Sequence, residues 1–172
     1  DQTVSAEGTT TVSGAVTDRA GNAATTSITV KVDTIAPGIT GAQTPAANGA
    51  GWNNTDVTVS FNCTDSGSGI ATAGCTSPVT VGEGAAQSVT GTAVDLAGNT
   101  SSVTQSGINV DKTAPTLSGT PTTAPNANGW YSGPVTIHWT CSDALSGIAG
   151  ACPADSVISS EGPGLTSSAA VS

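Results

Sequence analysis

The residues from Val57 to Cys63, VTVSFNC, alternate strictly. Val57, Val59, Phe61 and Cys63 share one parity, and Thr58, Ser60 and Asn62 take the other. The alternation returns in Val135–Cys141, with Val135, Ile137, Trp139 and Cys141 on the apolar side. Two shorter runs, ITVKVD and INVD, place Ile28, Val30 and Val32 inward in one and Ile108 and Val110 in the other. A β-strand projects successive side chains to opposite faces, so period two with one apolar face predicts half-buried antiparallel strands. No helical period stands beside it, because 22 glycines and 9 prolines interrupt every stretch long enough to hold one. The pattern reads as all-β.

These segments recur. DRAGN (Asp18–Asn22) returns as DLAGN (Asp95–Asn99) after 77 residues, and VDTIAP (Val32–Pro37) returns as VDKTAP (Val110–Pro115) after 78. GWNN at Gly51 returns as GWYS at Gly129. FNCTDSGSGIATAGC (Phe61–Cys75) returns as HWTCSDALSGIAGAC (His138–Cys152), with the first cysteines 78 apart and the second 77. Glu7-Gly8, Glu83-Gly84 and Glu161-Gly162 mark one place three times. A fixed period with matching order predicts tandem modules, and its length is that of a small β-sandwich. The expected organisation is the rear part of one repeat in 1–33, a complete repeat in 34–111, and in 112–172 a repeat lacking its last strands. A chain that starts at Asp1 and holds no methionine is expected to be a window on a longer polypeptide, so the lack of a leader says nothing about targeting.

Composition narrows the partners. Net charge is −9 with three basic residues, Arg19, Lys31 and Lys112, too few to neutralise phosphates, so no nucleic-acid role is expected. No apolar run approaches the roughly 20 residues needed to span a bilayer. Aromatics are 3% of residues, so each core must rest on Val, Ile, Ala and a rare large side chain. The Ser- and Thr-rich remainder resembles a linker, but the alternating Val and Ile runs argue for folded strands.

In DLAGN and DRAGN, Asp at the first turn position and Gly at the fourth suit a type I turn closed by a left-handed glycine. Asp95 can accept from the turn's own N–H groups while Gly98 supplies the positive φ. A contribution to calcium binding is the alternative role. Asn99 to Asp111 is one residue longer than Asn22 to Asp33, and a bulge around Gln105–Gly107 would absorb the difference.

The four cysteines form two local pairs, Cys63/Cys75 and Cys141/Cys152, without the close spacing of zinc or redox sites. Pairing within each repeat would tie one strand to the next and contribute about 3 kcal/mol by loop closure. A domain with so few aromatics needs such support. Disulfides imply an extracellular setting, and free thiols in a reducing compartment are the alternative. His138, between Ile137 and Trp139, should point outward.

The DxxGN turn, an alternating strand of about ten residues and VDxxAP opening the next module resemble bacterial immunoglobulin-like repeats of large surface and secreted proteins. VTVSFNCTDSGSGI with its downstream cysteine resembles a disulfide-bearing branch of them. The resemblance covers the whole chain and implies tandem immunoglobulin-like antiparallel β-sandwich domains. It also implies a junction site where acidic residues hold calcium and stiffen the rod. Asp33 and Asp111 match the junction aspartate, and Asp18 and Asp95 the nearby turn aspartate. The chain lacks the dense DxDxD clusters of strong calcium sites. No cofactor is required on this reading.

Catalysis is not expected. A Ser–His–Asp arrangement would need His138, the sole histidine, whose equivalent is Ser60. Glu7, Glu83 and Glu161 occupy equivalent places in separate repeats and make no carboxylate pair; Glu-Gly beside a strand reads as a turn. No phosphate loop or dinucleotide fingerprint is present. Trp52 and Trp130 each follow a Gly/Asn-rich loop, and either plug the end of a thin sandwich or stack on a sugar ring. Sequons begin at Asn53, Asn62 and Asn99 and permit glycosylation.

The expected function is a structural stalk or fibre segment of an extracellular or cell-surface bacterial protein. Its partners would be neighbouring repeats of the same protein, or identical chains joined head-to-tail in a filament. The alternatives are an adhesin or carbohydrate-binding module using exposed Trp52 or Trp130, and a spacer in a secreted hydrolase. The short DTIAP and DKTAP linkers are stiffened by proline, so the array should be semi-rigid.

Overall fold

The computed structural model describes residues 1–171, and among them every regular element is a strand. The order is β1 (Gly8–Thr17), β2 (Ala23–Val32), β3 (Gly38–Thr44), β4 (Val57–Thr64), β5 (Ile70–Cys75) and β6 (Val79–Val81). Then follow β7 (Gly84–Asp95), β8 (Thr100–Val110), β9 (Thr116–Pro121), β10 (Val135–Ser142) and β11 (Ser156–Ile158). They form four small sheets: β1-β2, β3-β4-β6, β5-β7-β8 and β11-β10-β9. The fold is all-β, with antiparallel pairing in each sheet. No helix among the described residues is long and apolar enough to cross a membrane.

The chain divides into two compact units, Asp1–Ala46 with Asp56–Gly82 and Ala86–Ile108, and Ala47–Thr55 with Glu83–Ala85 and Asn109–Ser172. In the first, the parity of β4 is realised as expected: Val57 and Val59 are buried, Phe61 and Cys63 half-buried, and Ser60 and Asn62 exposed. Val81, Ala93 and Ile108 complete the core. Sheets β3-β4-β6 and β5-β7-β8 face each other through it. A Cβ added at Gly91 of β7 would lie 2.4 Å from the Phe61 ring of β4, so the ring occupies space that only glycine leaves. The Cys63–Cys75 disulfide, Cα–Cα 5.9 Å, joins the same two layers at β4 and β5.

Glycine also absorbs the extra residue of β8. Gly107 has φ 73°, and burial changes parity there, from Ser101, Val103 and Gln105 to Ile108 and Val110. This is the bulge expected at Gln105–Gly107.

In the second unit, β9-β10-β11 repeats the register of β3-β4-β6. Gly38 opposite Thr64 becomes Thr116 opposite Ser142, and Val57 opposite Val81 becomes Val135 opposite Ile158. Val135 is buried, and Trp139 lies against Gly119, whose added Cβ would meet the ring at 2.6 Å. Trp139 also donates from Nε1 to Ser156 Oγ at 3.0 Å. Cys141 and Cys152 are bonded, Cα–Cα 5.8 Å.

The β1-β2 hairpin departs from its sequence pattern. Val30 and Val32 are half-buried as expected, but Ile28 is 67% exposed and Val16 68%. Parity gives each an apolar side of the ribbon, but no second layer covers that part of the hairpin among the described residues. A two-stranded ribbon alone cannot bury either face.

Candidate functional site

The polar positions that recur in the sequence form recurring closed loops. In Asp95–Asn99, Asp95 Oδ1 accepts from Asn99 N and Oδ2 from Asn99 Nδ2, both at 2.8 Å. Backbone bonds Asp95 N to Asn99 O and Gly98 N to Asp95 O close the ring, with Gly98 at φ 95°. Asp18–Asn22 is built the same way: Asp18 accepts from Ala20 N and from both Asn22 nitrogens. The turn role expected of Asp18 and Asp95 is therefore present in both copies.

A second loop type escaped the sequence analysis. Asn48 Oδ1 accepts from Ala50 N and Trp52 N, and Asn126 Oδ1 from Asn128 N and Trp130 N. Each asparagine is closed by a glycine at positive φ, Gly51 or Gly129. These loops present the two tryptophans, with different results. Trp52 is half-buried, whereas Trp130 is 55% exposed. Trp130 and Tyr131 line an open cavity of about 910 Å³ with Ile137, Ile158 and Leu165.

The residues that follow β2 and β8 are fastened by carboxylates. Asp33 Oδ2 accepts from Ser68 N at 2.6 Å, and Oδ1 from Ile35 N at 3.2 Å. Asp111 does the same with Ser146 N at 2.9 Å and Thr113 N at 3.0 Å. The Ser68 side chain and then its N–H hold Asp33 below the usual carboxylate range, and Ser146 does so for Asp111. The Asn22 amide is the largest cause of the same downward shift in Asp18. The receiving loops are themselves held, Asp65 accepting from Gly67 and Gly69, and Asp143 from Leu145 and Gly147. Glu7 accepts from the Thr34 hydroxyl and N–H, and Glu83 from the Thr113 hydroxyl. These glutamates are thus latches on the VDTIAP and VDKTAP segments as well as turn residues.

Of the four aspartates expected near calcium, the structure brings two together. Asp33 and Asp95, joined by Asp65, place one carboxylate oxygen each within 4.8 Å of one another. Asp18 and Asp111 are not in this group. Asp95 is 2% exposed and Asn99 spans the group, donating to both Asp95 and the Asp33 carbonyl. Three carboxylates suit a hard cation, with Asp65 Oδ2 already accepting two N–H bonds and Oδ1 left as its donor. The same carboxylates are also satisfied as loop acceptors.

The remaining candidates fall outside these loops. His138 points outward as its parity requires, with Nδ1 2.8 Å from Asp155. Of the sequon asparagines, Asn53 is buried and bonded to Asn109, and the Asn99 amide is engaged by Asp95, whereas Asn62 is exposed. Asn48, Asp65, Ser68 and their partners Asn126, Asp143 and Ser146 each recur at 78 residues, so the period itself marked them. No protein-family model, curated protein or solved structure matches this chain.

Proposed function

We propose that the chain is a stalk or fibre segment of an extracellular bacterial surface protein, built of tandem immunoglobulin-like domains and non-catalytic. The observation that carries this reading is the recurrent fastening of each linker. Asp33 to Ser68 and Asp111 to Ser146 tie the exit of one repeat to the β4–β5 loop, or its equivalent, of the next. A linker held by carboxylate bonds at Asp33–Ile35 or Asp111–Thr113, shortly before a proline, has few conformations left, which is what a load-bearing rod requires. Both cysteine pairs are oxidised, the state that persists in oxidising compartments.

The test is a spin-label distance distribution between Thr25→Cys and Ser60→Cys, both on exposed positions. A narrow distribution that Asp33→Ala broadens is expected. A distribution equally broad with and without Asp33 removes the stalk reading.

One observation favours the adhesin alternative, the exposed indole of Trp130 over its cavity. Titration with soluble polysaccharides, read by tryptophan fluorescence, decides it: a saturable change abolished by Trp130→Ala is the positive result. Trp52, half-buried, fits the plug better.

A further inference from the structure

We propose that the Cys63–Cys75 disulfide is a redox-sensitive clasp on the linker, whose reduction frees Asp33 from Ser68 while the β4 core stays folded. The inference rests on the stalk reading above and adds to it a way for the rod to be loosened. The group that receives the linker lies inside the ring that the cysteines close. The disulfide joins residues 12 apart in sequence, and Asp65, Gly67, Ser68 and Gly69 all fall between them. Ser68 N donates to Asp33 at 2.6 Å, and Asp65 shapes the loop by accepting from Gly67 N and Gly69 N. Cys141–Cys152 encloses Asp143, Ser146 and Gly147 in the same way, with Ser146 N donating to Asp111.

The strand that follows this loop is weakly laddered. β5 stands at the edge of its sheet, with β7 as its neighbour. Ile70 lies opposite Asp95 and Cys75 opposite Ala93, so β5 uses more residues than β7 between the same two rungs, and residues 71–74 bulge. Ala73 takes φ 58°, a costly conformation for a residue with a side chain. Gly74 passes so close to β7 that an added Cβ would lie 2.3 Å from Val94 O. Beyond the bulge, Thr76 N donates to Thr92 O and the Thr76 hydroxyl accepts from Thr92 N, which anchors the exit of β5. Ahead of it, the loop meets the Asp95–Asn99 turn through Leu96 N to Gly69 O at 2.8 Å and Ala97 N to Ser68 Oγ at 3.1 Å. β4 and β5 belong to facing sheets, and the disulfide is the covalent tie between them at this end. The core lies at the other end of β4, where Val57 and Val59 are fully buried while Cys63 is half-buried. Opening the bond therefore acts on the loop before it acts on the core.

Cys63 and Cys75 are both half-buried, within reach of a small dithiol. Its thiolate attacks one sulfur, its second thiol resolves the mixed disulfide, and two electrons pass to the cysteines. The products are the thiols of Cys63 and Cys75 and the reductant's own disulfide. With the ring open, residues 64–74 regain the conformational freedom that closure removed, and Ser68 N is no longer held against Asp33. An oxidising setting keeps the clasp shut, and a reducing one slackens the linker.

Amide hydrogen exchange of the 172-residue chain, resolved by residue with and without a dithiol, tests this. The Ser68 N–H should exchange about tenfold faster or more after reduction, while the amides of Val57–Phe61 remain protected by the folded core. Cys63→Ser with Cys75→Ser, which leaves Cys141–Cys152 bonded, should reproduce the effect without reductant. Asp33→Ala should speed Ser68 exchange in the oxidised chain and add nothing once the Cys63–Cys75 bond is gone, because the contact is already open. Ser68 exchange unchanged by reduction overturns the proposal. So does loss of protection in Val57–Phe61 together with Ser68 in a Cys63→Val, Cys75→Ala chain, whose apolar side chains keep the half-buried positions filled, because the disulfide is then a staple of the core. Spin-label distances that Asp33→Ala broadens but the cysteine replacements leave narrow would sink the clasp and keep the stalk. Distances broad with and without Asp33 would sink the stalk, and Ser68 exchange would still decide the clasp.

Discussion

Ile70–Cys75 reads IATAGC and Ile148–Cys152 reads IAGAC, and each is closed by a disulfide to the strand before it. The first is strand β5, and the second forms no strand. Local sequence and covalent closure are shared, so neither accounts for the difference. What differs is the neighbour: β5 lies beside β7, which supplies its ladder partners, and no strand lies beside Ile148–Cys152 among the described residues. The rear hairpins give the same lesson from the other side. β7 and β8 bury Ala93 and Ile108, while β1 and β2 leave Val16 and Ile28 exposed. A strand of small residues is set by its pairing more than by its own propensity.

The largest expected effect concerns the disulfides. Replacing Cys63 and Cys75 by serine should lower stability by about 3 kcal/mol in urea unfolding. Replacing Cys141 and Cys152 should chiefly release Ile148–Cys152, seen as faster hydrogen exchange there. Equal loss of protection in both segments would mean that β7 contributes nothing to β5.

Next comes the glycine pair. Gly91→Val forces Phe61 aside and should destabilise by about 1–3 kcal/mol, whereas Gly14→Val should change monomer stability by less than about 0.5 kcal/mol. Thermal melts of the two variants compare the paired and unpaired hairpins directly. The turns follow. Asp95→Ala removes a buried carboxylate that accepts from the Asn99 N–H and amide and should cost about 1–3 kcal/mol, and Asp18→Ala, in an exposed turn, should cost less.

The acid response should be smaller and shared by both linkers. Asp18, Asp33 and Asp111 have their charged forms favoured by hydrogen bonds, so their folded pKa values lie below the unfolded ones. Their contribution is therefore complete above about pH 4 and is lost as pH falls through the folded values. Melting temperature measured from pH 7 downward should be flat to about pH 4 and fall below it. Asp33→Ala should flatten the fall. The smallest effect expected is a rise in melting temperature with millimolar calcium that Asp33→Ala reduces. The absence of any rise in the parent chain removes calcium from Asp33, Asp65 and Asp95.

Much of the fold was legible in the chain. Alternation located β4 and β10 and assigned the faces of Val57, Val59, Val135 and His138, because a strand's side-chain period is fixed by covalent geometry. The extra residue before Asp111 announced the Gly107 bulge, and the DxxGN spacing announced both turns, because bonds within five residues depend on local sequence alone. The latches were not legible. Asp33 and Ser68 are 35 residues apart, and nothing local to either names the other. The glutamates read as turn residues for the same reason, since Thr34 lies 27 residues beyond Glu7.

The sequence by itself determined strand parity, turn chemistry, the pairing of near cysteines and the 78-residue recurrence of polar positions. Each is encoded in spacing along the chain, where steric and hydrogen-bonding rules act without tertiary help. Only the tertiary structure decided which apolar faces are covered, which of four aspartates meet, and which tryptophan is open. Burial and carboxylate clustering depend on residues distant in sequence arriving at one place. Trp52 and Trp130 sit in the same asparagine-closed loop and differ only in what lies around them.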